Sequence, residues 1–188
     1  MIARSGLAPV PHGAGLLALP PFHPGGGVYV VIETPRGSPA KFKFKPELGV
    51  FTLARILTDG TVYPHDWGYI PGTLGSDGDP IDALVLGAAG SFPGLVIRAR
   101  PIGILQVEQS ERGRKLRNDR LLFLPWEPTE RMPFRDVSEL RKGEKEEIER
   151  FFLHSVEGTA KKLHFLGWRG PRIAEAEIRR GLKRCKAR

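Results

Sequence analysis

Cysteine is nearly missing from this sequence: of 188 residues, only Cys185 carries a thiol. A single cysteine excludes an internal disulfide, and it suits a reducing compartment. No run of 18 or more apolar residues exists, so no membrane-spanning helix is expected. No internal repeat is present. Acidic residues are outnumbered, 21 Asp and Glu against 29 Lys and Arg, for a net charge of +8. That balance suits an anionic partner or substrate, or a solubilising surface. Much of the excess sits in Arg179, Arg180, Lys183, Arg184, Lys186 and Arg188, which reads first as a basic, solvated helix end.

What is present fits one domain large enough for a real core. Residues 1–27 are rich in Gly, Pro and Ala and read as a loosely ordered lead-in. Their short "GLLAL" stretch, broken by prolines, makes a poor signal peptide. The single domain is expected over 28–188. Strands are predicted at 28–33, 40–45, 50–57, 81–86, 95–109 and 120–125, from β-branched content and alternation. In "AKFKFK", Phe42 and Phe44 share one face, and Lys41, Lys43 and Lys45 the other. The proline in the 95–109 strand suggests a bend or an edge. Residues 58–80 read as a loop, and "SERGRKLRND" as a polar, flexible hairpin tip.

Helical spacing begins near residue 144, where "EKEEIERFFLHSVEGTAKKL" aligns Ile148, Phe151, Phe152 and Val156. A last helix, "RIAEAEIRRGLKRC", aligns Ile173, Ile178 and Leu182. Strands followed by helices predict an α+β fold with a small barrel.

The chemistry concentrates in "SDGDPID", where Asp77, Asp79 and Asp82 fall within six residues with no Lys or Arg in the run. Two readings are open: an exposed acidic turn, or a site for a hard cation such as Mg²⁺, which takes oxygen ligands. An EF-hand is excluded, because counting from Asp77 puts Ala88 where a bidentate glutamate is required. Lys41, Lys43 and Arg55 in isolation read as solvated strand residues, and Glu33 has the same status. Taken together, an acidic cluster and separate Lys and Arg donors form the two halves of a phosphoryl-transfer site.

"VYVVIE", "AKFKF", "ARIL", "YPHDWGYIPGTLGSDGDPIDALVL" and "RPIGIL", in that order, resemble the soluble, family I inorganic pyrophosphatases. "DGDPID" fits that family's Asp-x-Asp-Pro-x-Asp signature, and "GWRG" followed by a last helix keeps the order. The resemblance covers about residues 28–187. It implies a five-stranded, OB-like β-barrel with two main helices outside it. It also implies hydrolysis of pyrophosphate to two phosphates with Mg²⁺ (or Mn²⁺), in a cytoplasmic homo-oligomer, a hexamer in bacterial members. By the same resemblance, Asp77 and Asp82 bind metal and Glu33 holds a further ion partly through water. Asp79 takes the proton of the attacking water, and Lys41 and Arg55 bind phosphate.

The chain departs from that pattern at several positions. Lys43 stands where the family has a carboxylate, and Trp67 where it has a phosphate-contacting tyrosine. Gln109, Asn118 and Arg120 replace two aspartates and a lysine, and Ser155-Val156 replaces a Tyr-Lys pair. Asp119 substitutes for a lost aspartate only with a one-residue shift, which would change its face. Lys43 and Arg120 either neutralise phosphate in place of a metal ion or fill the vacated negative pocket. A metal-dependent hydrolase, of full or reduced activity, is therefore weighed against two alternatives. One is a catalytically impaired pyrophosphatase-like protein. The other is a non-catalytic OB-like barrel that binds a polyanion. Nucleic acid is disfavoured, because no row of exposed aromatic residues offers stacking. Trp126 and Trp168 read as packing residues, and no role is assigned to His154.

Overall fold

The computed structural model describes residues 15–87, 90–126 and 134–187. Residues 1–14 of the expected lead-in, and Arg188 of the basic end, lie outside them. The strands are β1 (Val28–Thr34), β2 (Ala40–Lys45), β3 (Val50–Ile56), β4 (Asp66–Tyr69), β5 (Asp82–Val85), β6 (Val96–Glu111), β7 (Arg114–Arg117), β8 (Arg120–Pro125) and β9 (Lys161–Arg169). The α-helices are α1 (Lys142–Ser155) and α2 (Pro171–Lys186).

Five strands close on themselves in the order β1-β4-β5-β8-β6, with β6 returning to pair with β1. All of these pairings are antiparallel except β5 with β8. Closure removes free edges from the ring, and the expected five-stranded barrel in an α+β fold is what forms. The 16-residue β6 runs beyond the ring and carries β7 and β9 as extra partners. β2 and β3 form a separate antiparallel hairpin, with a register shift between Lys41 and Phe42.

Both faces of the ring are dry, which explains the unbroken apolar runs in β5 and β8. Ala83, Val85, Leu121 and Phe123 join a cluster completed by Ala174 and Ile178 of α2. Leu84, Leu122 and Leu124, one residue out of phase, join a cluster completed by Ile148, Phe151 and Phe152 of α1. Burial of each such side chain is worth about 1.5–3 kcal/mol.

Four sequence expectations change. The 58–80 loop contains β4, whose four residues "DWGY" are all buried. The hairpin tip contains β7. The helical pattern over 144–163 stops at Ser155; Gly158 takes a positive φ of 71°, and the chain returns as β9. Finally, α2 buries Ala174, Ile178 and Gly181, whereas Ile173 is exposed. Small residues let this helix approach closely. A Cβ at Gly181 would lie 2.4 Å from Ile81 Cδ1 and 3.2 Å from the Leu74 carbonyl oxygen.

Candidate active site

The acidic segment is a constrained loop between β4 and β5. At its base, Ile70 N–H donates to the Ile81 carbonyl (2.9 Å). The buried Thr73 hydroxyl donates to the Ile70 carbonyl (2.6 Å) and accepts from Ile81 N–H (3.1 Å). Higher up, Gly75 N–H donates to the Asp79 carbonyl (2.7 Å) and Asp79 N–H to Asp77 Oδ1 (3.2 Å). Gly78 turns the chain at φ 90°, and a Cβ on Gly75 would sit 2.8 Å from Asp77 Oδ1. α2 braces the loop from behind. Leu74 N–H donates to the Gly181 carbonyl (3.0 Å), and Arg184 Nε donates to the Leu74 carbonyl (2.8 Å).

Opposite the loop stand the β2–β3 hairpin and the end of α1. Between these elements lies a cavity of about 380 Å³. Glu33, Lys41, Arg55, Asp77, Asp79 and Asp82 all line it. Thus residues spread over 50 positions of sequence, on β1, β2, β3 and the loop, face one space.

The electrostatics divide by partner. Burial pushes the Glu33 carboxyl up to about 7, against the hydrogen bond it accepts from Phe44 N–H (2.8 Å) and despite Lys41 and Lys43 nearby. Loss of hydration and the neighbouring Asp82 charge push Asp77 up as well. Burial holds the Lys41 ammonium below the usual lysine range, opposed by Asp82. That ammonium lies 5.7 Å from the Trp67 ring centroid. Among the described residues Arg55 has no acidic partner within salt-bridge distance.

Two of the four carboxylates are already paired. Asp79 Oδ2 accepts from Lys43 Nζ at 2.7 Å. Asp82 Oδ2 accepts from the buried guanidinium of Arg120, which also donates to Asn118 Oδ1. Asn118 Nδ2 in turn donates to Gln109 Oε1 (3.2 Å). Arg120 lies over Trp67 (5.3 Å) and Phe152 (5.6 Å), so aromatic faces support its charge. Asp119 does not enter this cavity. Its carboxylate grips Arg117 at 2.8 and 2.9 Å and accepts from Val107 N–H (2.8 Å).

The oxygen donors fit a hard divalent ion. Such an ion is held through one or two carboxylates, with waters and substrate phosphates completing its shell. No three Asp, Glu, His or Cys groups form a closed cage among the described residues, and an ion of this kind needs none.

Sequence reading missed three cavity residues. Tyr63 and Tyr69 both line it, and burial raises both phenols. The Tyr69 hydroxyl is buried without a hydrogen-bond partner among the described residues. Lys161, at the start of β9, lines the same wall as Ser155 and Val156 and brings an ammonium to it. "YPHDWGY" carried a signal in its tyrosines flanking a buried Asp. Lys161 carried none, because it fell inside the apparent helical pattern.

A family model described as inorganic pyrophosphatase matches residues 30–186. The inorganic pyrophosphatase of Thermus thermophilus is 36% identical over 162 residues, covering 85% of this chain and 90% of that protein. That of Streptomyces coelicolor is 37% identical over 158 residues, covering 84% and 94%. Among solved structures, a Thermus thermophilus inorganic pyrophosphatase superposes with a TM-score of 0.83 at 35% identity, covering 92% of this chain and 99% of that one. A Helicobacter pylori inorganic pyrophosphatase gives 0.79 at 31% identity, covering 90% and 99%.

Proposed function

The chain belongs to the inorganic pyrophosphatase family and hydrolyses pyrophosphate to two phosphates with a divalent metal ion, and we propose that the reaction is carried out in the 380 Å³ cavity described above. The convergence of Glu33, Lys41, Arg55, Asp77, Asp79 and Asp82 on that single space carries this reading.

The roles follow from the groups. Asp77 and Asp82 would hold a metal ion, and Glu33 would support a further one, partly through water. We take the ion to be Mg²⁺, with Mn²⁺ as a substitute, since every donor is an oxygen. When bound, such an ion would supply a water of lowered pKa and would screen the phosphate charge. Lys41 and Arg55, from adjacent strands, hold phosphate oxygens. Lys41 pairs with Arg55 across the β2–β3 ladder, so the two cations are spaced by the hairpin itself. Asp79 accepts the proton from the attacking water. Oxygen from water bonds to one phosphorus, the bridging P–O bond breaks, and the second phosphate leaves with the bridging oxygen.

A phosphate-release assay on purified protein with pyrophosphate and Mg²⁺ tests this. Turnover that disappears in Asp79→Ala is expected. Full turnover in that variant refutes the assigned role, and no turnover in the parent chain favours the catalytically impaired reading.

The same proposal places the domain at 28–188 and the protein in the cytoplasm, where its one free cysteine, Cys185, stays reduced. No helix among the described residues is long and apolar enough to cross a membrane. Exposed Leu48, Val50, Leu53 and Ile56 on the hairpin support self-association. A homo-hexamer is the assembly the resemblance implies, and light scattering on the eluting protein measures it.

A further inference from the structure

Among the described residues, Lys43 is the one cation that rests directly on the proposed proton acceptor. Its Nζ lies 2.7 Å from Asp79 Oδ2, and both side chains are half-exposed. The contact is built rather than incidental. β2 places Lys41 and Lys43 two residues apart, so both reach the cavity, while Phe44 N–H anchors the strand to Glu33. The loop fixes Asp79 through its own N–H and carbonyl. On the neighbouring wall Arg120 takes Oδ2 of Asp82 and leaves Oδ1 without a partner among the described residues, and the Gln109–Asn118–Arg120 chain offers no anionic oxygen.

We infer that Lys43 is a tethered cation that keeps a divalent ion off Asp79, so that this chain binds fewer divalent ions than its carboxylates would otherwise hold. The inference rests on the metal-dependent reading of the cavity. An ammonium hydrogen-bonded to a carboxylate occupies an oxygen that a metal ion would need. An ion that displaced it would still face the displaced ammonium, held within reach by its strand. A bare exposed ion pair is weak, and the anionic substrate offers the ammonium a second partner. Substrate phosphate would draw Lys43 from Asp79, leaving the carboxylate free to take a proton. An arginine at this position would preserve the exclusion. A neutral side chain would end it.

Counting bound Mn²⁺ tests this directly, with the fall of the free-ion electron paramagnetic resonance signal as readout. The parent chain, Lys43→Met, Lys43→Arg and Lys43→Glu are titrated without substrate. Circular dichroism melts confirm folding, which a half-exposed residue should not disturb. Lys43→Met is expected to bind one more Mn²⁺ per chain than the parent, and Lys43→Arg the same number as the parent. Equal binding by Lys43→Met and the parent overturns the inference. That holds even when Lys43→Glu gains an ion, since the added carboxylate then makes a site of its own. Absence of binding by the parent chain is a separate result, and it counts against the metal-dependent reading itself.

Discussion

The cavity has two unlike walls. One is the loop of Asp77, Asp79 and Asp82 with Glu33, Lys41 and Arg55 beside it, the six groups to which the resemblance assigns roles. The other is made by β6, β8 and the end of α1, where Gln109, Asn118, Arg120, Ser155 and Val156 give amides, one guanidinium, a hydroxyl and a methyl surface. The first wall is held by backbone hydrogen bonds and glycines, so its shape and its chemistry are specified by the same residues. The second hangs on a ladder that is indifferent to side-chain charge. Gln109 pairs with Leu116 and Leu163 through the backbone, whatever its carboxamide does. A β-ladder can therefore shed its ligands without unfolding, whereas the loop cannot.

The largest effect should come from removing divalent metal ions. Chelation by EDTA should abolish phosphate release, and added Mg²⁺ should restore it. Next, Asp79→Ala should lower kcat by about 10²–10⁴-fold, the usual worth of a positioned proton acceptor. Arg55→Ala should lower kcat/KM by about 10²–10³-fold, the typical cost of one aligned donor. Gly181→Val should attack the first wall from behind, by driving a side chain into Ile81. Overpacking of this kind costs about 1–3 kcal/mol, and a calorimetric scan should show Tm lowered by about 2–4 °C per kcal/mol. The smallest effect belongs to the second wall. Gln109→Ala should change kcat/KM by less than about tenfold, because its amide meets only Asn118 among the described residues. A loss as large as that of Asp79→Ala would erase the distinction between the walls.

The same division governs what the sequence revealed. β1, β2, β3, β5, β6 and β8 were legible because β-branched runs and alternation record burial directly. β4 was hidden: four residues with a glycine inside do not make a period. That glycine is required by contact, since a Cβ on Gly68 would lie 1.9 Å from the Val31 carbonyl oxygen. β9 was hidden by Lys161 and Lys162, which continued the charge pattern of α1. The acidic loop was legible as a motif. The pairings that quiet it were not, because Lys43 and Asp79 stand 36 residues apart and Arg120 and Asp82 stand 38 apart. Tyr69 was unreadable for a simpler reason: alternation buries a tyrosine without saying which cavity its hydroxyl reaches.

The hydrogen bond from Arg184 to the Leu74 carbonyl spans 110 residues. During synthesis, strands of the ring can begin to pair long before that arginine is made. A nascent chain extended only to residue 170 would lack the prop behind Leu74 and Ile81, leaving its aspartates on an unbraced turn. Catalytic competence should thus arrive late, with the docking of the last helix, and a protease that trims this helix should silence the enzyme before it melts the barrel.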